Sequence, residues 1–131
     1  NWKMHVLFVD DDTMNRRVVR DMLEIAGVKM DEAADGPSGL ALIESADYAL
    51  ILMDLRMPGM DGLTAIKHIR ERNDAKAALP ILVVTADTSL DIRERCIANG
   101  ADDLLQKPVA MNSLYEAMAM TIANRAQAKA S

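Results

Sequence analysis

Apolar residues fall in four short, nearly unbroken runs, at residues 6–9, 50–53, 81–84 and 104–105. Runs of this length suit parallel strands covered on both faces, because both alternating sides must then be apolar. A fifth stretch, 28–34, mixes Lys29, Asp31 and Glu32 into its apolar positions and reads as an edge strand. Helical spacing fills the gaps. Val18, Met22 and Ile25 mark a first helix stopped by Gly27, and Leu40 and Ile43 mark a second after Gly36 and Pro37. Leu63, Ile66 and Ile69 mark a third, Ile92, Cys96 and Ile97 a fourth stopped by Gly100, and Leu114, Met118 and Ile122 a fifth. Strand then helix, five times over, predicts an α/β fold with a parallel sheet and helices on both faces. The alanine-rich stretch 123–131 is expected to be a fraying helix end or a linker.

At 131 residues, with 50% hydrophobic and 27% charged, the chain is sized for one globular core. A net charge of −5 argues against a nucleic-acid partner, which needs a basic face. The lone Cys96 excludes an internal disulfide and fits a reducing compartment. No apolar run reaches membrane-spanning length and no signal-peptide pattern opens the chain, so a cytoplasmic domain without membrane contact is expected. The chain starts at Asn1, not methionine, and is read as a piece of a longer protein.

Chemistry concentrates where the strands end. In open parallel sheets, ligands bind at the carboxyl ends of the strands. The first run leads into Asp10, Asp11 and Asp12, the run at 50–53 into Asp54, the run at 81–84 into Thr85, and the last into Lys107 and Pro108. Two bare carboxylates ~4 Å apart repel by roughly 4 kcal/mol at an effective dielectric of 20. Three together call for a hard, oxygen-preferring cation, and few protein ligands plus water favour magnesium over calcium. A carboxylate beside such an ion suits phosphoryl transfer, with Lys107 and Thr85 available to the phosphoryl oxygens. The plainer role is helix capping, for which Asp12 or Thr13 is well placed.

The stretches Val9-Asp10-Asp11, Met53-Asp54-Leu55-Arg56-Met57-Pro58-Gly59-Met60-Asp61-Gly62, Val84-Thr85-Ala86 and Lys107-Pro108 resemble the receiver domains of two-component signalling. The resemblance covers residues 4–124 as one domain and leaves 125–131 as a tail or linker. It implies a flavodoxin-like sheet in the order 2-1-3-4-5. It implies that Asp54 accepts phosphate and that Asp11, Asp10, Asp54 and the Arg56 carbonyl hold Mg2+. Thr85 would be the switch hydroxyl, and Lys107 would contact the phosphate. The implied donors are a histidine kinase or a histidine phosphotransfer protein, the domain catalysing its own phosphorylation and dephosphorylation. Thr13-Met14-Asn15-Arg16 and Arg93-Glu94-Arg95-Cys96 further resemble receivers of hybrid histidine kinases. The family usually places an aromatic residue where this chain has Leu104, and often Phe where it has Val109, which puts the usual aromatic switch in question. Arg56 and Asp87 each lie two residues beyond a site residue, and are expected to pair if both loops rim the site.

A free-standing response regulator is the nearest alternative. Asp10-Asp11-Asp12-Thr13 is superficially similar to a haloacid-dehalogenase nucleophile motif, but the threonine comes one residue early and the chain has no room for a cap domain. A binding module that is never phosphorylated would not need the complete set of site residues. His5 and His68 are expected on the surface, Cys96 in the core, and the ten methionines as core filler.

Overall fold

The computed structural model describes residues 4–130; Asn1, on which the fragment reading rests, lies outside the described residues. Five strands, β1 (His5–Val9), β2 (Lys29–Ala33), β3 (Leu50–Met53), β4 (Ile81–Thr85) and β5 (Asp103–Gln106), form one parallel sheet. Their order is β2-β1-β3-β4-β5, so the direction in which strands are added across the sheet switches between β1 and β3. Helices α1 (Thr13–Ile25), α2 (Gly36–Ser45), α3 (Gly62–Arg70), α4 (Ile92–Ala98) and α5 (Met111–Ala130) connect and cover them, with a 3-10 turn at Ala75–Ala78. The fold is the one expected from the apolar runs.

Each central strand is apolar throughout because it feeds two cores. Leu7, Val9, Ile51, Met53, Ile81 and Val83 pack with Ile43, Ile66, Ile69 and Cys96 from α2, α3 and α4. Their neighbours Val6, Phe8, Leu50, Leu52, Leu82 and Val84 pack with Val19 and Leu23 of α1 and Leu114 and Met118 of α5. Each fully buried aliphatic side chain contributes roughly 1.5–3 kcal/mol relative to exposure. The polar strand β2 sits at the sheet edge, as its composition predicts.

The structure corrects the phase of α1. Val19 and Leu23 are its buried positions, whereas Val18 is 40% and Ile25 73% exposed. Adjacent apolar pairs, Val18-Val19 and Met22-Leu23, gave two equivalent helical stripes, and packing chose the second. Asp12 caps the helix through its side chain, and Gly27 ends it with φ 75°, where a Cβ would be strained. The methionines divide: Met30, Met53, Met57 and Met118 are buried, but Met14 and Met120 are exposed. His5 is half-buried rather than on the surface, with Nε2 3.0 Å from Asp31 Oδ2.

Helix α5 extends to Ala130, into the segment read as a tail, and Arg125 within it donates to Ala78 O at 3.1 Å and to Asp102 Oδ1 at 3.2 Å. Asp102 also takes Arg70 Nη2 at 3.0 Å and the Ile81 N–H at 2.8 Å, so one carboxylate ties α3, β4 and α5 at the end of the sheet away from the candidate site.

Candidate functional site

Register brings the site together. Val9 pairs with Met53 across β1 and β3, so Asp10 and Asp54 leave adjacent strand ends. Thr85 pairs with Gln106 across β4 and β5, which delivers Lys107 to the same edge. Asp10, Asp54 and Thr85 are all buried, at 0%, 4% and 1% exposure. Lys107 Nζ reaches inward to Asp10 Oδ2 at 3.1 Å and Asp54 Oδ1 at 3.4 Å. Asp10, Asp11, Asp54, Arg56, Thr85 and Lys107 all line one cleft of about 270 Å³. Asn15 lines it too, a residue to which the sequence pattern assigns no role; its place in the first turn after the acidic run is the signal that points to it.

Asp10, Asp11 and Asp54 each present an oxygen within 4.8 Å of the others. One ammonium faces three carboxylates, so the cluster fits a divalent cation held by hard oxygen ligands. Burial, then the Asp10 charge, pushes the Asp54 carboxyl up to about 6, against the opposing pull of Lys107. The third acidic residue of the run is differently employed: Asp12 Oδ1 accepts the Met14 N–H at 2.8 Å.

The loop after Asp54 is folded tightly against it. A Cβ on Gly62 would lie 2.1 Å from the Asp54 carbonyl oxygen, so only glycine allows this approach. Arg56 turns its guanidinium outward, with Nη2 3.3 Å from Asp87 Oδ2. Bonds from Ser89, then Arg56, lower the Asp87 carboxyl to about 2. Thr85 Oγ1 accepts the Asp87 N–H at 3.1 Å.

The response regulator receiver domain model matches residues 6–119. The chain belongs to the receiver domain family. The receiver is 33% identical over 120 residues to the sensor histidine kinase RcsC of Salmonella typhi, and 33% identical over 141 residues to histidine kinase 5 of Arabidopsis thaliana. These alignments take in 92% and 88% of the receiver but only 12% and 15% of the kinases. The solved structure of the Vibrio cholerae chemotaxis protein CheY4 superposes with a TM-score of 0.86 at 32% identity, covering 92% of the receiver and 99% of CheY4. With the family shown, the phosphatase alternative falls. No helix among the described residues is long and apolar enough to cross a membrane.

Proposed function

We propose that Asp54 is a phosphoacceptor. Its carboxylate oxygen attacks the phosphorus of a phosphohistidine, the P–N bond breaks, and the imidazole leaves after taking a proton. The observation that carries this reading is the meeting of Asp54 with Asp10, Asp11 and Lys107 at the end of the central strand. Asp10, Asp11 and Asp54, with the Arg56 carbonyl, are the groups that would hold magnesium. When bound, magnesium supplies charge neutralisation at the phosphoryl oxygens. Lys107 pairs with one phosphoryl oxygen, exchanging its present partner Asp54 Oδ1 for it. Thr85 hydrogen-bonds another. Incubation with a small phosphoramidate donor is expected to label the chain with magnesium and not with a chelator; labelling indifferent to the chelator would overturn the reading.

The proposed partner is a histidine kinase or a histidine phosphotransfer protein in the cytoplasm, within a hybrid kinase or its relay. The similarity to two histidine kinases supports this. A free-standing regulator is the second reading, supported by the near-complete coverage of CheY4. Residues 4–124 are proposed as the functional unit and 125–131 as a tail or linker, with Arg125 bonded to the body where the two meet.

Arg56 lines the cleft and pairs with Asp87, and the pair is proposed to shield the acyl phosphate from water. The pair is exposed on the Arg56 side, so it adds little stability, but a shield acts on rate. Arg56→Ala is expected to change the decay rate of the phosphorylated protein several-fold without moving the label, as followed by release of inorganic phosphate. An unchanged decay rate would refute the shield.

The switch is proposed to be local. Thr85 Oγ1 accepts the Asp87 N–H and keeps its own hydrogen to donate to a phosphoryl oxygen, so a shift of the hydroxyl toward that oxygen is passed to Asp87, which is itself held by Ser89 and by Gln106 Nε2 on its carbonyl. That displaces the loop before α4. Leu104, half-buried against the α2–α3–α4 core, has no hydroxyl to exchange between wet and buried states. With beryllofluoride as phosphoryl mimic, amide shifts are expected to concentrate at 10–12, 54–59 and 85–95. Large changes across Leu104 and α5 would show the opposite.

A further inference from the structure

We infer that Arg16 is a positioning residue for the cation pocket: it spans from Glu32 on the edge strand to the backbone carbonyl of Asp10, and so fixes the peptide that presents Asp11. This rests on reading Asp10, Asp11 and Asp54 as the cation-holding group.

Arg16 Nε donates to Glu32 Oε1 at 2.8 Å, and Nη1 donates to the Asp10 carbonyl at 2.7 Å. Its side chain is only 14% exposed, so water competes weakly for these bonds. Glu32 is a firm anchor. Arg20 holds its other oxygen, with Nε at 2.9 Å, and the bonds from Arg16 and Arg20 keep its carboxyl below the usual range. Arg16 stands in the first turn of α1, where the helix dipole disfavours a cation. Its acceptors there, rather than the helix, account for that placement.

The two acidic ligands on this loop differ in how they are held. The Asp10 carboxylate takes the Asp12 N–H at 2.9 Å and Lys107 at 3.1 Å. The Asp11 carboxylate is exposed and has no hydrogen bond or ion pair among the described residues. A ligand without its own anchor takes its direction from the main chain. The peptide joining Asp10 to Asp11 is a rigid plane, so a donor on its carbonyl sets where the Asp11 side chain starts. Groups that orient metal ligands in this way typically change affinity about 10–100-fold when removed.

The test is calorimetric titration of magnesium chloride into wild type, Arg16→Ala, Arg16→Lys, Arg20→Ala and Asp11→Asn, with amide spectra of each protein free of cations. Arg16→Ala is expected to weaken magnesium about 10-fold and to shift the Asp11 and Asp12 amides before any cation is added. Arg16→Lys should recover only part of the affinity, because an ammonium lacks the fork that reaches both acceptors. Arg20→Ala removes a partner of Glu32 without touching the cleft. It should lose stability comparably while leaving affinity unchanged. Unchanged affinity in Arg16→Ala would overturn the proposal, as would equal weakening in Arg20→Ala, which marks general packing of α1 on β2. Wild-type affinity in Asp11→Asn would instead sink the cation reading on which the proposal stands.

Discussion

Replacing Asp54 with asparagine is expected to abolish stable labelling by a small phosphodonor, the largest single effect at this site. Asp54 lies at the end of the central strand with its carboxylate facing Lys107, and Asn offers no anionic oxygen to attack phosphorus. Intact-mass and peptide mapping would check it; undiminished label on another residue would refute the assignment. The same variant separates function from stability. Burial, then the Asp10 charge, pushes the Asp54 carboxyl from the usual 3.8 up to about 6 in the folded protein, so its protonated form is the one folding favours. The stability linked to this group is therefore fully present below about 3.8 and is lost as pH rises through about 6. Above that range wild type carries a penalty that Asn lacks. In cation-free buffer at neutral pH, Asp54→Asn should be more stable than wild type by on the order of 1 kcal/mol or more, the raised carboxyl already being net of the Lys107 attraction. The difference should shrink as pH falls below 6, which thermal melts across pH would reveal.

What could be read from the chain followed from how local its causes are. The run Leu50-Ile51-Leu52-Met53 could satisfy only a strand buried on both faces, so β3 and its neighbours were legible. Asp10, Asp54, Thr85 and Lys107 were legible as a set because each stands directly after such a run or, for Lys107, two residues beyond one, and register carries them to one edge. The phase of α1 was not, because Val18 and Val19 are both apolar and only packing against Phe8 and Met118 decides between them. The Asp102 hub was also invisible. Arg70 and Arg125 reach it from 32 and 23 residues away, and nothing in their local sequence names the partner. Arg16 belongs to the same class, since its partner Glu32 is 16 residues on and its other acceptor is a backbone carbonyl.

Three consecutive aspartates at one strand end are expected to behave unequally, and the largest contrast should be between Asp11 and Asp12. Asp12 spends its carboxylate on helix α1, accepting the Met14 N–H at 2.8 Å and the Asn15 N–H at 3.4 Å. Asn caps helices about as well as Asp, so Asp12→Asn should leave stability nearly unchanged, whereas Asp12→Ala should cost about 1 kcal/mol. Asp11 has no such duty, and its carboxylate oxygen lies within 4.8 Å of the Asp10 and Asp54 oxygens. A carboxylate and a divalent ion ~4 Å apart attract by about 2 kcal/mol even at the dielectric of bulk water. Asp11→Asn should therefore weaken magnesium at least about 10-fold and slow labelling by a small donor at fixed magnesium. Asp12→Asn removes a charge near the cleft but no oxygen aimed at its centre, so its effect should be several times smaller. Calorimetry on the two variants side by side decides the matter. Equal losses would mean that the acidic run acts only through its summed charge, and that Asp11 does not face the ion.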